Sequence, residues 1–344
     1  MKNIFKGKTI LVTGGTGSIG VEIVKQLLKY EPKAVRIFAR HEDRHYHVMH
    51  ELGTDNPKLR FVVGDVRDRE RLKMAMDGSD IVFHAAALKQ VPICEYNPFE
   101  AVKTNIIGTQ NVIEVARELN VDRVIGISTD KVVDPQSVLG VSKLMAEKLF
   151  LATFFYKGDK RTKFACVRFG NVLGSRGSIL PLLKKQILGG KEITITDPNM
   201  TRFVMTIPQA VNLVLRAALL SRGQEVFILK MPAVKLGHLI NAAVAHYAPQ
   251  AGKKVKDIKI KTIGLRGGEK MHEELMAEHE LPNVLETKDM YILTPHEKIG
   301  RLQYNESYPL ATKMSQRKNL YSLRTQQLSQ KDLLRLIQEA DHSC

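Results

Sequence analysis

Thr9-Ile10-Leu11-Val12-Thr13-Gly14-Gly15-Thr16-Gly17-Ser18-Ile19-Gly20-Val21-Glu22-Ile23-Val24 is the stretch that decides the fold. Residues 9–13 are rich in β-branched side chains and read as a buried strand, and the apolar stripe Ile23, Val24, Leu27 and Leu28 reads as one face of a helix. Between them Gly14, Gly17 and Gly20 stand at GxxGxxG spacing. Glycines there let the turn close and the backbone approach a pyrophosphate, whose charge meets the amides at the helix N-terminus. Gly14, Thr16, Gly17, Ser18, Ile19 and Gly20 are therefore candidate cofactor-binding residues.

Working outward, a second strand, Ala34–Ala39, ends in Arg40-His41, where an acid usually receives the ribose 2′-hydroxyl. An arginine suits a 2′-phosphate, which favours NADP over NAD, although Glu42 and Asp43 lie close by. A third strand, Leu59–Val63, leads to Asp65 and Val66, with Asp65 placed to accept from an adenine amino group. A fourth, Asp80–Phe83, leads to Ala85, Ala86 and Ala87, small enough for a cofactor to lie across the strand ends. Asn105 falls on the next helix. Alternation of strand and helix from residue 8 to about 170 predicts an α/β fold with a doubly wound parallel sheet and ligands at the strand C-termini. After Arg168 the pattern changes to glycine-rich turns with a short helix near 180–187. An amphipathic helix over 208–220 and a strand over 225–229 follow. Further helices are expected near 235–247 and 329–340, and 281–325 is too irregular to assign.

Composition bounds the function classes. The chain has 344 residues, 44% of them hydrophobic and 6% aromatic, as in an ordinary α/β protein. No apolar run approaches a membrane span and no leader precedes residue 9, so a cytoplasmic protein with no membrane partner is expected. Cys94, Cys166 and Cys344 are few and widely spaced, which fits reduced thiols and no metal site. The net charge of +16 comes from scattered basic residues without a nucleic-acid-binding motif, so polyanionic small ligands are expected in preference to nucleic acid.

Several blocks carry a resemblance. They are Ala85-Ala86-Ala87-Leu88-Lys89-Gln90-Val91-Pro92, Glu95-Tyr96-Asn97-Pro98, Lys103-Thr104-Asn105, Ser128-Thr129-Asp130-Lys131, Arg168–Ser178, Met200-Thr201-Arg202-Phe203 and Gly264–Lys270. In that order, over about residues 6–280, the chain resembles the extended short-chain dehydrogenase/reductase family. Within it the chain is similar to the UDP-N-acetylglucosamine 4,6-dehydratases of the polysaccharide-biosynthesis and flagellin-glycosylation group.

The resemblance implies a Rossmann-like NADP-binding domain over 1–170, to which 204–230 returns. It implies a smaller C-terminal substrate lobe from 171–203 and 231–344, and a homo-oligomer, dimer or hexamer. It further implies that UDP-N-acetylglucosamine is oxidised at C4, loses water across C5 and C6, and regains hydride at C6. Thr129 would bond the C4 oxygen, Asp130 protonate the departing C6 hydroxyl, Lys131 exchange the C5 proton, and Lys143 hold the nicotinamide ribose. Lys89, Asn171, Arg202, Arg266 and Glu269 fall where the UDP-sugar is held. A guanidinium suits a diphosphate, and Asn171 offers both donor and acceptor.

Two positions depart from the family pattern. Leu139 stands where a tyrosine would deprotonate the C4 hydroxyl, and Gln90 where histidine is frequent. Two other readings stay open: an epimerase or oxidoreductase on the same nucleotide sugar, and a cofactor-binding protein with impaired catalysis.

Overall fold

The computed structural model describes residues 3–156, 161–295, 308, 311–314 and 320–342; Cys344 lies outside them. The early alternation becomes a parallel sheet of β1 (Thr9–Thr13), β2 (Ala34–Ala39), β3 (Leu59–Val63), β4 (Ile81–His84), β5 (Arg123–Ile127) and β6 (Lys163–Arg168). Their spatial order is β3-β2-β1-β4-β5-β6, so the winding reverses between β1 and β4. At such a switch point the flanking connections diverge and leave a crevice at the strand ends. Val12 lies beside Ile37 on one side and Phe83 on the other, and β1 is buried throughout.

The crossovers are α1 (Ser18–Leu28), α2 (Glu42–Leu52), α3 (Arg69–Met76), the short α4 (Val91–Tyr96) and α5 (Pro98–Ala101), α6 (Gly108–Glu118) and α7 (Val138–Ala152). A wider helical turn, Val102–Ile107, joins α5 to α6. α1 buries Ile23, Val24 and Leu27 of the stripe read from the sequence, with Val21 added and Leu28 half-buried. Ser137 caps α7 by accepting from the Gly140 amide, which fixes where the helix bearing Leu139 and Lys143 begins.

Beyond β6 the chain moves between two apolar cores. β7 (Asn171–Val172), α8 (Ile179–Leu188), β8 (Ile193–Ile195) and β9 (Thr201–Met205) leave the sheet; α9 (Ile207–Leu220) and β10 (Val226–Leu229) return to it beside β6. β11 (Ala233–Lys235), α10 (Leu236–Tyr247) and β12 (Ile260–Thr262) leave again. The second core joins Leu183, Ile187, Ile193, Leu239 and Ile240 to Leu333 and Ile337 of α11 (Gln330–His342). β9 serves both cores by its period of two: Phe203 and Met205 point into the first and Val204 into the second.

One stretch departs from expectation. The sequence left 281–325 unassigned and counted it with the lobe, yet β13 (Val284–Glu286), β14 (Met290–Leu293) and β15 (Thr312–Lys313) extend the main sheet. β14 pairs antiparallel with β10, Ile228 opposite Tyr291, and Met290–Leu293 are buried on both faces. A short apolar run without alternation carries no period, so only the distant partner strand reveals it.

The two halves are riveted by a buried cation. Arg168, at the end of β6 and 1% exposed, reaches Glu147 of α7 at 2.5 Å and Glu280 at 3.0 Å, and donates to the Leu275 carbonyl at 2.9 Å. Burial works against the guanidinium's charge, but the two carboxylates outweigh it and hold Arg168 firmly protonated. Burial alone would also raise Glu280; Arg168 reverses the sign and keeps that carboxyl below its ordinary value.

Arg168→Met, which strands two buried carboxylates, is expected to cost about 3–5 kcal/mol, read as a lower midpoint in urea. Replacing all three charges by apolar groups of similar volume should recover most of that loss. Because the folded pKa of Glu280 is depressed, its contribution is complete above the ordinary glutamate range and disappears as pH falls through the lower folded value. The native chain should therefore lose stability across that acidic window more steeply than Glu280→Gln.

Candidate active site

A cleft of about 460 Å³ opens at the switch point. Its floor is the glycine turn: Gly14, Thr16, Gly17, Ser18, Ile19 and Gly20 all line it. Gly14 has φ +66°, and a Cβ there would stand 2.7 Å from the Ala85 carbonyl, so no other residue fits. A Cβ on Gly20 would collide with the Gly14 carbonyl. No side chain caps α1 and its first turn has no acid, which leaves its leading amides to an anion. Ala85, Ala86 and Ala87 form one wall, and Arg40, Asp65 and Val66 stand at the other end.

Arg40 lies 3.9 Å from the Asp65 carboxylate. Both Asp65 oxygens take bonds from Arg67, Oδ1 from its amide at 3.0 Å and Oδ2 from its guanidinium at 2.7 Å. Burial would raise Asp65, and Arg67 overrides it to hold the carboxyl low. Arg44, passed over in the sequence, lines the same mouth. So does Thr104, whose buried Oγ1 has no hydrogen-bond partner among the described residues.

Asn105 does not line the cleft. Its side-chain oxygen accepts from the Leu88 amide at 2.8 Å, and its nitrogen donates to the Leu88 carbonyl at 3.1 Å and Ser142 Oγ at 3.0 Å. It thereby fixes the loop after β4 against α7. Lys89 and Gln90, on that loop, meet a strap at residues 174–178: Lys89 Nζ donates to Ser175 Oγ at 3.4 Å, and Gln90 Nε2 to the Gly177 carbonyl at 3.1 Å. From the same strap the Arg176 amide donates to Ser18 Oγ at 2.9 Å and its guanidinium to the Thr16 carbonyl.

A compact charged group follows β5. Asp130 is fully buried, with its amide donating to the Phe169 carbonyl at 3.1 Å. Its Oδ1 accepts from Thr129 Oγ1 at 3.1 Å and from Lys131 Nζ at 2.9 Å. Lys131 also reaches Asn171 Oδ1 at 3.3 Å and Glu273 Oε1 at 3.4 Å. Desolvation would lower the Lys131 ammonium, and the two carboxylates reverse that and raise it. Burial raises Glu273. Glu273 is the residue the sequence reading missed: nothing local distinguishes it within Met271-His272-Glu273-Glu274, and only the fold brings it to Lys131.

Other expected residues take different positions. Arg202 spends its donors on the carbonyls of Thr201 at 2.8 Å, Lys270 at 2.8 Å and Met271 at 3.1 Å, and so braces the segment leading to Glu273. Arg266 is exposed on a turn closed by the Glu269 amide donating to its carbonyl at 3.1 Å. Lys143 is buried, with desolvation lowering its pKa, and it makes no hydrogen bond or ion pair among the described residues. His84 beneath it is pushed down to about 3 by burial and by Lys143, so it is neutral between Thr13 at 2.7 Å and Thr109 at 3.0 Å. Leu139, 5% exposed, packs in an apolar cluster with Cys94, Ala101, Leu88 and Val91.

Several known proteins are similar to this chain over most of its length. An uncharacterized membrane protein of Methanocaldococcus jannaschii is 54% identical over 309 residues, 89% of this chain and 92% of its own. No described helix here is long and apolar enough to cross a membrane. An inverting UDP-N-acetylglucosamine 4,6-dehydratase of Campylobacter jejuni is 42% identical over 298 residues, 86% of this chain and 85% of its own. A UDP-glucose 4-epimerase of Rickettsia canadensis is 40% identical over 292 residues, 84% and 83% of the two chains. The solved structure of Pen from Bacillus thuringiensis superposes with a TM-score of 0.89 at 40% identity, over 97% of this chain and 98% of that one. The family described as polysaccharide biosynthesis protein matches residues 10–295, a span holding the glycine turn, Thr129–Lys131 and Glu273. On that match, the chain belongs to the polysaccharide biosynthesis protein family.

Proposed function

We propose that this chain is a UDP-N-acetylglucosamine 4,6-dehydratase that uses NADP. The observation that carries the reading is the Asp130–Lys131 pair at the end of β5, a fully buried acid 2.9 Å from a half-buried amine. The relative named as a dehydratase of that sugar, at 42% identity, supports it.

The residues at the switch point suit a dinucleotide. The glycine cradle has no room for a Cβ, the α1 amides are uncapped, and Thr104 Oγ1 lacks a partner on the cleft wall. Arg40 and Arg44 at the mouth suit a 2′-phosphate. The nicotinamide, when bound, supplies the hydride acceptor at C4 and the hydride donor at C6.

The protons fall to the chain. Thr129 Oγ1, which donates to Asp130, can receive the C4 hydroxyl proton and relay it to that carboxylate. Leu139 has no part in this step, being apolar and packed among apolar neighbours. The C4 ketone acidifies the C5 hydrogen, which the Lys131 amine accepts. Asp130 then gives its proton to the departing C6 hydroxyl, and Lys131 returns its proton to C5. The hydrogen lost from the C4 hydroxyl leaves in the water, and the side chains end as they began. Lys143, buried and without a competing partner among the described residues, is left to hold the nicotinamide ribose. Exposed Ile93, Tyr96 and Phe99 on α4 and α5 support the homo-oligomer that the resemblance implies.

A second reading comes from the relative named as a UDP-glucose 4-epimerase. An epimerase returns hydride to C4 and loses no water. Incubating the purified chain with UDP-N-acetylglucosamine and weighing the product separates the two: loss of one water is expected.

Four variants test the roles. Asp130→Asn with Lys131→Ala should slow water loss by roughly 100-fold or more while calorimetry still shows nucleotide binding, because the cleft contacts lie elsewhere. Arg40→Asp should move cofactor preference toward NAD by roughly tenfold, the size of one charge-assisted contact, measured as the ratio of dissociation constants. At Leu139, methionine should be nearly neutral, whereas tyrosine should raise neither C4 oxidation nor stability. A ring and hydroxyl forced into that apolar cluster cost about 1–3 kcal/mol, read by single-turnover absorbance and by thermal unfolding.

A further inference from the structure

We propose that Glu273 holds the proton that Lys131 must shed before its amine can accept the C5 hydrogen. This positioning role within the acid–base group rests on the dehydratase reading. The chemistry needs a neutral Lys131 amine when C5 is deprotonated, and the structure sets that ammonium between two carboxylates, Asp130 at 2.9 Å and Glu273 at 3.4 Å. Asp130 is already committed. It receives the C4 proton through Thr129 and must keep it until the C6 hydroxyl departs. The ammonium proton therefore needs a second acceptor, and among the described residues Glu273 is the remaining carboxylate within ion-pair reach of Lys131.

The placement of Glu273 is built rather than incidental. Its amide donates to Ser322 Oγ at 2.8 Å and its carbonyl accepts from the Ser322 amide at 2.9 Å. Ser322, fully buried, shares a hydroxyl hydrogen bond with Thr201 at 2.7 Å. Arg202 ties down the two preceding carbonyls at residues 270 and 271. Glu273 itself is 2% exposed, and while Oε1 faces Lys131, Oε2 has no partner among the described residues and is free to carry a proton.

The charged groups around the pair are Asp130, Arg202 at 3.9 Å from Oε1, and Lys270; the neighbouring His272 ring is turned to Thr201 at 2.8 Å. Burial favours the protonated Glu273 and Asp130 adds to it, against the pull of Lys131, Arg202 and Lys270. In the transfer one N–H bond of the Lys131 ammonium breaks and one O–H bond of Glu273 forms, with no change in total charge. The C5–H bond then breaks toward the amine, and after the C6 hydroxyl leaves, the new ammonium gives that proton back to C5. Glu273 keeps its proton until C5 is reprotonated and then returns it to the Lys131 amine, which restores the resting ion pair.

The test compares full-length native chain, Glu273→Gln and Glu273→Asp with UDP-N-acetylglucosamine in D2O. Reduced-nicotinamide absorbance reports C4 oxidation, product mass reports water loss, and NMR reports deuterium at C5. Glu273→Gln should keep C4 oxidation near the native rate and slow water loss on the order of 100-fold at neutral pH. The deficit should shrink as pH rises and hydroxide replaces the missing acceptor, and Glu273→Asp should recover part of the rate. Native-rate elimination by Glu273→Gln overturns the proposal. So does a slowing that is equal at every pH and shared by C4 oxidation, which is what a bracing role would give. Without substrate, NMR of labelled lysine should show the Lys131 resonance, identified by its absence in Lys131→Arg, titrating at lower pH in Glu273→Gln; an unmoved titration overturns the coupling. If the native chain removes no water, the dehydratase reading fails and this positioning role fails with it. The titration then shows separately whether the two side chains share a proton.

Discussion

A guanidinium without water sets the geometry of the whole site. Arg168 is stable in the core only while Glu147 and Glu280 both face it, since a buried charge left unpaired costs several kcal/mol. Each carboxylate belongs to a different part of the chain, and each brings a functional segment along. Glu147 lies one helical turn beyond Lys143 on α7 and also accepts from Ser128 at 2.6 Å, next to Thr129. Glu280 follows closely on Glu273, and the Leu275 carbonyl between them is held by the same arginine. One ion cluster thus fixes the relative positions of Lys143, the strand-end acid and amine, and the carboxylate from the C-terminal segment.

The two sides of the site obey different physics. The cofactor cleft is made largely of backbone: absent Cβ atoms, free amides at a helix start, and small alanines at a strand end. Such a surface recognises a diphosphate by shape and fixed dipoles and needs no proton movement. The acid–base group is the reverse, a set of ionisable side chains enclosed so that each controls its neighbour's charge. Asp130 and Glu273 keep Lys131 charged at rest, while burial lowers Lys143, which in turn helps to keep the buried His84 neutral. Asn105 stands between the two sides and, by gripping Leu88 and Ser142, couples the cleft wall to α7.

What the sequence made legible was local. The glycine turn, the strand ends and the Thr129–Lys131 run are contiguous, and periodicity with turn chemistry is enough to place them. Glu273 and the pairing of β14 with β10 were not, because each acquires its meaning from a partner far along the chain. Asn105 lies on the helix where the resemblance predicts a cofactor residue, and its amide bonds the Leu88 backbone and the Ser142 hydroxyl. Arg202 looks like a diphosphate ligand by residue type, but its donors face carbonyls. Residue type predicts what a group can bond; only the fold decides what it finds.

β9 faces one core with Phe203 and Met205 and the other with Val204, and the second core draws on segments before, between and after strands of the main sheet. The lobe is therefore not a contiguous stretch of gene. Exchange of DNA segments between homologues would cut both cores at once and leave mismatched halves in each. Descendants of this chain can change their site residue by residue, but not by importing a foreign lobe as a cassette.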